Sequence, residues 1–432
     1  MTPDDSYDEP SSTRGGGAAP GSEGPLPGGR RRQDPPTAGA LSGVRVLDCA
    51  TLFAGPVIAS MMGDFGADVV KIEHPRGDSL RSLGWNKDGV SLWWAMVSRN
   101  KRCVTLDISL TEGQELLLRL AETADVLIEN FRPGTFERWN LAPSRLLERN
   151  PALVIVRTTA FGQTGPYSRR PGFGTLAEAM SGFAHMNGWP DKPPALPPFA
   201  LADGVAAITG AFAVMAALRW RDMCGGGGQV VDLSIYEPLF SILGPQAAVY
   251  DSLGIEVSRM GNRTPFSAPR NVYRSRDGRW LALSASSTSI AERVMLVVGH
   301  PEMIDEPWFA DNGGRLQHAG ELDALIGEWI AERDAEVVIA EFERVQAAIG
   351  PVYSIADILE DPQYAARGTV ARVPHSRLGS VLVPNVVPRL EGSPGAIRYL
   401  GPDLGEHNGE VYLGELGLTE EEMRGLASRR VV

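Results

Sequence analysis

The segment PPFALADGVAAITG, residues 197 to 210, carries one carboxylate, Asp203, inside an otherwise apolar run. A carboxylate in such surroundings is hydrogen-bonded, turned to solvent, or used chemically. Asp-Gly is a common turn pair, and an Asp ahead of an Ala-rich helix is a common N-cap. Nucleophilic work is the alternative, and these residues alone leave both readings open. Other chemistries lack their residues. The six histidines are scattered, with no H-E-x-x-H. Cys49, Cys103 and Cys224 include no C-x-x-C. No metal site and no disulfide framework are expected, and a reducing, cytoplasmic setting fits. The four glycines at 225–228 are followed by Gln, not the Lys of a phosphate-binding P-loop, so they read as a connector.

The elements that must position Asp203 follow from periodicity. VRVLDCA (44–50) alternates and is rich in β-branched residues, as a strand is. The loop TLFAGP, a helix VIASMMGDFG and a second strand ADVVKIE complete a βαβ unit. The pattern repeats through RCVTLDI, a helix opened by a T-x-x-Q capping box at Thr111–Gln114, DVLIENF, SRLLERN and LVIVRTTAF. Residues 205–220 form a long helix of small apolar residues, and VVDLSIYE is a further strand. The expectation is an α/β fold, a Rossmann-like large domain with a mostly parallel sheet. Its first loop has one glycine and no G-x-G-x-x-G, which argues against a nicotinamide or flavin role. Near 260–275 the texture changes. NVYRSRDGRWLALSAS reads as an antiparallel hairpin about Asp277-Gly278, and helices at 290–297 and 321–347 follow, as in a smaller α+β domain.

The resulting division is a disordered tail (1–40), a large α/β domain (41–235), a linker (236–265), a small α+β domain (266–370) and a C-terminal segment returning to the large domain (371–432). The tail, rich in Pro, Gly, Ser and charge, includes an RRR run at 30–32 and has too little apolar surface to order itself. The net charge of −12 argues against a nucleic-acid partner. No apolar run reaches the roughly 18 residues of a membrane span, and the start lacks a signal-peptide h-region.

In order, LSGVRVLDCATLFAGPVIASMMGDFGADVVKIE, NKRCVTLD, DVLIENFRPGTFERW, FGQTGPYSRRPGF, LADGVAAITGAFAVMAAL, GGGGQVVDLSIYE and NVYRSRDGRW resemble the family III (CaiB/BaiF-type) CoA-transferases over residues 41 to 425. The resemblance implies an interlocked homodimer whose large domain binds coenzyme A, as substrate and product and not as a tightly bound cofactor. It makes Asp203, in LADGVAAITG, the covalent nucleophile. Exchanging a thioester between two carboxylic acids without ATP joins two anions, and an enzyme carboxylate divides the task. The CoA contacts it implies are Thr51, Phe53 and Ala54 after the first strand, His74, then Leu106, Asp107 and Ile108, then Asn130, Phe131 and Arg132, and Arg138. Arg132 and Arg138 are phosphate partners in that reading and solvated surface charges in the plainer one.

Within the family, racemases use a His where this chain has Phe173 and Gly174, and Phe cannot carry a proton. Racemisation by that route is therefore blocked; an α-methylacyl-CoA racemase-like enzyme stands as the alternative because the family contains such enzymes, together with a CoA-ester-binding protein that has lost catalysis. Formyl-CoA transferases place Gln where Phe53 stands. The run PGFGTLAEAMSGFA and the following PPALPPFALADG look most like the branch that takes CoA from succinyl-CoA to C4–C5 dicarboxylates. Acyl-CoA and carboxylic acid substrates are the expected partners.

Overall fold

The computed structural model describes residues 39–432. The predicted tail falls almost wholly outside them. Six strands form one sheet: β1 (Arg45–Asp48), β2 (Asp68–Glu73), β3 (Lys101–Thr105), β4 (Val126–Glu129), β5 (Val154–Thr159) and β6 (Gln229–Ser234). All pairings are parallel, in the order β3-β2-β1-β4-β5-β6. That is the doubly wound order, in which strand succession reverses between β1 and β4. Parallel sheets need cover on both faces, which explains the near-continuous apolar strands. On one face Leu47, Val70, Val104, Leu127 and Ile155 pack under α2 (Thr111–Ala121) and α3 (Pro143–Arg149). On the other Val46, Val69, Val126 and Val154 pack under α1 (Ala54–Asp64) and a long helix at Leu201–Met223. The period-2 alternation of the strands thus fills two cores.

The chain returns to this sheet at its end. Asn408 Oδ1 accepts the Thr105 N–H at 2.9 Å, and the Tyr412 hydroxyl donates to the Thr105 carbonyl at 2.8 Å. Between, Arg270–Arg274 and Trp280–Ser284 pair antiparallel about Gly278, whose φ of +85° suits the turn. With Ile349–Pro351 they make a three-stranded sheet over its own core of Leu281, Leu283, Val294, Leu322, Ile326 and Phe342.

Two expectations are corrected. The helix α2 starts one residue earlier than a capping box requires: its N-cap is Leu110, and no side chain caps it. Thr111 is already helical, and Asp107 takes up the turn by accepting the Ser109 N–H at 3.0 Å. The apolar run at Leu201–Met223, with a mean hydropathy of 1.8, is long and apolar enough to cross a membrane by length and composition. It packs on the sheet instead, through Ala206, Ala207, Gly210, Val214, Ala217 and Leu218, of which the alanines and the glycine allow close approach.

At the carboxyl end of β1 lies a buried group of charges. Asp48 Oδ2 meets Lys101 Nζ at 2.8 Å, and Asp48 Oδ1 lies 3.8 Å from Lys71 Nζ, which also pairs with Asp78 at 3.3 Å. These side chains are 0–1% exposed. The ammonium groups also hold the loop, Lys71 donating to the Ala50 carbonyl and Lys101 to that of Pro56 at 2.6 Å. Burial pulls the Lys71 pKa down, but Asp48 and Asp78 outweigh it and hold the group above its usual value. Removing one partner of a buried pair strands the other charge, at about 3–5 kcal/mol. Lys101→Met keeps the apolar stem and removes the charge. It is expected to lower the unfolding free energy by about 3 kcal/mol or more, read from urea midpoints; a wild-type midpoint would show that the group is not holding the loop.

Candidate active site

Two cavities, each of about 480 Å³, open along the carboxyl edge of the parallel sheet. They meet at Thr51, which lines both and sits at the β1/β4 reversal. A pair of hydrogen bonds closes that point: the Thr51 N–H donates to Asn130 Oδ1 at 2.8 Å, and Asn130 Nδ2 donates to the Thr51 carbonyl at 2.7 Å. The next residue, Leu52, has φ of +64°, an uncommon conformation for a branched side chain. It is held by its N–H donating to Asp78 at 3.4 Å, so the buried charges fix the loop that divides the cavities.

The first cavity contains Asp203 and is lined by Thr51, Phe53, Ala54, Asn130, Thr158 and Thr159, with Leu83, Trp93 and Phe173 as apolar walls. Phe53 and Trp93 meet edge to face at 5.3 Å. Three helices start at its rim: α1 after Phe53, α4 (Gly174–Met180) after Phe173, and α5 (Leu201–Met223) after Ala200. None of the three has a side-chain cap, so the cap reading of Asp203 does not hold. Asp203 lies in the first turn of α5, half-buried, with its carboxylate against Gly174. A Cβ at position 174 would lie 2.0 Å from Asp203 Oδ2, so only glycine leaves the carboxylate where it is. No cation pairs with Asp203 among the described residues. Burial, and then the neighbouring Glu178, raise its pKa to about 6. The hydroxyls of Thr158 and Thr159 are buried here without a partner among the described residues. The site therefore offers an unpaired carboxylate of raised basicity in a largely apolar chamber, with hydroxyl and helix N–H donors beside it. That is equipment for nucleophilic attack and oxyanion stabilisation.

The second cavity is lined by Cys49, Thr51, Ile72, Glu73, His74, Arg76 to Ser79, Leu106 to Ser109, Phe131 and Trp139. Of the residues marked in the sequence, Thr51, Phe53, Ala54 and Asn130 gather in the first cavity, and Thr51, His74, Leu106, Asp107, Ile108 and Phe131 in the second. His74 Nδ1 accepts the Arg76 N–H at 3.0 Å, and its Nε2 lies 3.3 Å from Asp107, so the ring is engaged within the protein. Arg132 and Arg138 line neither cavity. Arg138 donates instead to Thr135 Oγ1 at 2.9 Å. Sequence reasoning missed Arg76, Trp139, Thr158 and Thr159. For Arg76, Thr158 and Thr159 the signal was position, since each follows or ends a strand at the sheet's carboxyl edge, whereas Trp139 caps the short helix Thr135–Arg138 and carried no such signal. No histidine lines the Asp203 cavity. His185 stands at the surface, 3.4 Å from Glu256.

Comparison with known proteins now bears on this geometry. A family model described as CoA-transferase family III matches residues 41–408. The chain is 38% identical over 394 residues to a succinyl-CoA–D-citramalate CoA-transferase of Chloroflexus aurantiacus, covering 91% of this chain and 98% of that protein. It is also 38% identical over 396 residues to a succinyl-CoA–L-malate CoA-transferase alpha subunit of Chloroflexus aurantiacus, covering 91% of this chain and 92% of the relative. Among solved structures, a CaiB/BaiF family protein from Brucella suis superposes with a TM-score of 0.77 at 30% identity, over 87% of this chain and 99% of that one.

The raised pKa of Asp203 has a stability consequence. In the unfolded chain this carboxyl ionises near 3.8, in the fold near 6. The fold therefore binds the extra proton between those values, and its stability falls as pH rises through that window. Asp203→Asn removes the unfavourable charge. Its melting temperature is expected to exceed that of the wild type at about pH 8, and the gain to fade towards about pH 4. A variant less stable than the wild type at pH 8 would contradict this.

Proposed function

The chain belongs to CoA-transferase family III, and from that membership we propose that it moves CoA from succinyl-CoA to a C4–C5 dicarboxylic acid through a covalent intermediate on Asp203. The observation that carries the reading is the Asp203 carboxylate itself, unpaired, pressed on Gly174, in a cavity that shares Thr51 with a second one. The second cavity, with Phe131, Trp139, Ile108 and Arg76, suits the adenosine and phosphate end of CoA, and the shared Thr51 suits the pantetheine passage.

An Asp203 oxygen attacks the acyl-CoA carbonyl, and the C–S bond breaks to give a mixed anhydride and CoA thiolate. The thiolate attacks the aspartyl carbonyl, and the C–O bond breaks to release the first acid and leave an aspartyl–CoA thioester. The acceptor carboxylate attacks that carbonyl and expels the thiolate. The thiolate then attacks the new acyl carbonyl, releasing the product thioester and free Asp203. Each attack makes an oxyanion. The N–H groups opening α1 and the Thr158 and Thr159 hydroxyls are the donors at hand. The apolar walls keep water from the anhydride. The missing histidine counts against racemisation.

We further propose that a second copy of the chain completes the site. The lining of the Asp203 cavity holds no cation for the distal carboxylate of a diacid. Ile208, Phe212 and Met215 expose 62%, 74% and 40% of their surface on one face of α5, and Phe240, Tyr250 and Leu253 of the following Tyr236–Ser241 and Gln246–Leu253 helices are exposed as well. An apolar face of that extent calls for cover. The reduced cysteines fit a cytoplasmic enzyme.

Asp203→Asn is expected to bind CoA and to lose exchange by several orders of magnitude. Wild type incubated with succinyl-CoA and then hydroxylamine should be modified at residue 203 alone, as read by peptide mass; an adduct elsewhere would falsify the assignment. Sedimentation at nanomolar concentration is expected to show an undissociated dimer, and a monomer there would rule out an interlocked pair.

A further inference from the structure

The first turn of α5 has no cap of its own, yet two of its N–H groups are satisfied from a different helix. Glu178, on α4 and 3% exposed, accepts the N–H groups of Leu201 at 3.1 Å and Ala202 at 3.3 Å through one oxygen. Those are the two residues immediately before Asp203. The same helix α4 begins with Gly174, against which the Asp203 carboxylate rests. One short helix thus touches the first turn of α5 at both its backbone and its carboxylate. No cation pairs with Glu178 or Asp203 among the described residues.

We propose that Glu178 is the positioning residue of the nucleophile: its buried carboxylate ties down the first turn of α5 and presents a negative charge to Asp203. This rests on the reading of Asp203 as the nucleophile. The clamp acts because a helix N-terminus leaves its first N–H groups free, and a carboxylate is their strongest partner. Fixing that turn fixes the direction in which Asp203 faces the thioester, and misplacement of a nucleophile lowers turnover sharply. The charge acts because a like charge nearby disfavours ionisation and makes the anion, once formed, more basic.

The other ionisable groups on the elements packed around this turn are engaged elsewhere. Arg157 of β5 is held by Glu129 and Glu137, and Asp232 of β6 accepts the Gln163 N–H. Glu237 accepts the Ser234 hydroxyl, Asp64 of α1 is paired with Arg99, and His185 faces Glu256. Tyr236 is the neutral group among them. Glu178 is thus the residue whose charge Asp203 meets.

Two variants separate clamp from charge. Glu178→Gln keeps an acceptor for the two N–H groups and removes the charge. Asp203 is read directly by infrared difference titration of its carboxyl band, each protein against its own Asp203→Asn partner, which needs no turnover. In Glu178→Gln the midpoint is expected to fall by roughly half a unit, and the acid limb of kcat/KM to follow it. In Glu178→Ala the clamp is gone, and kcat is expected to fall roughly 10- to 100-fold with KM for acyl-CoA within about twofold. An unmoved midpoint in Glu178→Gln overturns the proposal, as does an Glu178→Ala kcat within about twofold of wild type. Should Glu178→Ala fail to fold, the Glu178→Gln titration decides alone. A wild type that exchanges no CoA would sink the proposed function instead, and the infrared midpoints would still decide the role of Glu178.

Discussion

Everything at the carboxyl edge of the sheet hangs on a neutral set of four buried charges. Asp48 and Asp78 face Lys71 and Lys101 beneath the loop that follows β1. Taking such groups out of water costs several kcal/mol each, and only close, multiple pairing makes it tolerable. The return is geometric. The ammonium groups hold the carbonyls of Ala50 and Pro56, and Asp78 holds Leu52 in a backbone conformation it would not choose. A merely apolar filling would pack as well but would leave the direction of this loop undefined. With it defined, Thr51 meets Asn130, and the crevice is divided into two chambers that share Thr51.

The chambers differ in character because their walls draw mainly on different halves of the sheet. The β3-β2-β1 half contributes strand ends rich in polar and charged groups, including Glu73, His74 and Asp107. The β4-β5-β6 half contributes Thr158, Thr159 and Ile235 and is roofed by aromatic rings. A long ligand with a polar nucleotide-like end and a reactive thioester end fits that division. The sheet thus has the strand order of dinucleotide-binding sheets without their glycine fingerprint. The loop TLFAGP needs only Gly55, where a Cβ would come within 2.4 Å of the Ala50 side chain.

Much of this was legible in the sequence. Alternation in VRVLDCA and the apolar runs of the later strands define the sheet, since burial on both faces leaves a pattern that neighbours alone impose. Asp203 stood out because a lone carboxylate in an apolar run is costly. What was not legible depends on approach between distant segments. That Gly174 abuts Asp203 follows from the packing of two helices, and no local preference signals it. Arg132 and Arg138 line neither cavity although Phe131 and Trp139 beside them line the second, with Arg138 ending the short Thr135–Arg138 helix, and a residue type cannot report its direction. The T-x-x-Q at Thr111 failed for a related reason: Asp107 claimed the turn first.

The hydrogen bonds that finish the β3 edge come from residues made long after it. The Tyr412 hydroxyl reaches the Thr105 carbonyl across 307 positions, and the Asp107 N–H donates to the Val431 carbonyl at 2.7 Å. A ribosome has therefore built most of the polypeptide before the outer strand acquires its cover. Until then a parallel strand waits with one unpaired edge, the kind of template that recruits other nascent chains. Production of this protein should accordingly be governed by translation speed and chaperone supply more than by final stability, because the hazardous interval lies between the synthesis of an edge and the arrival of the segment that seals it.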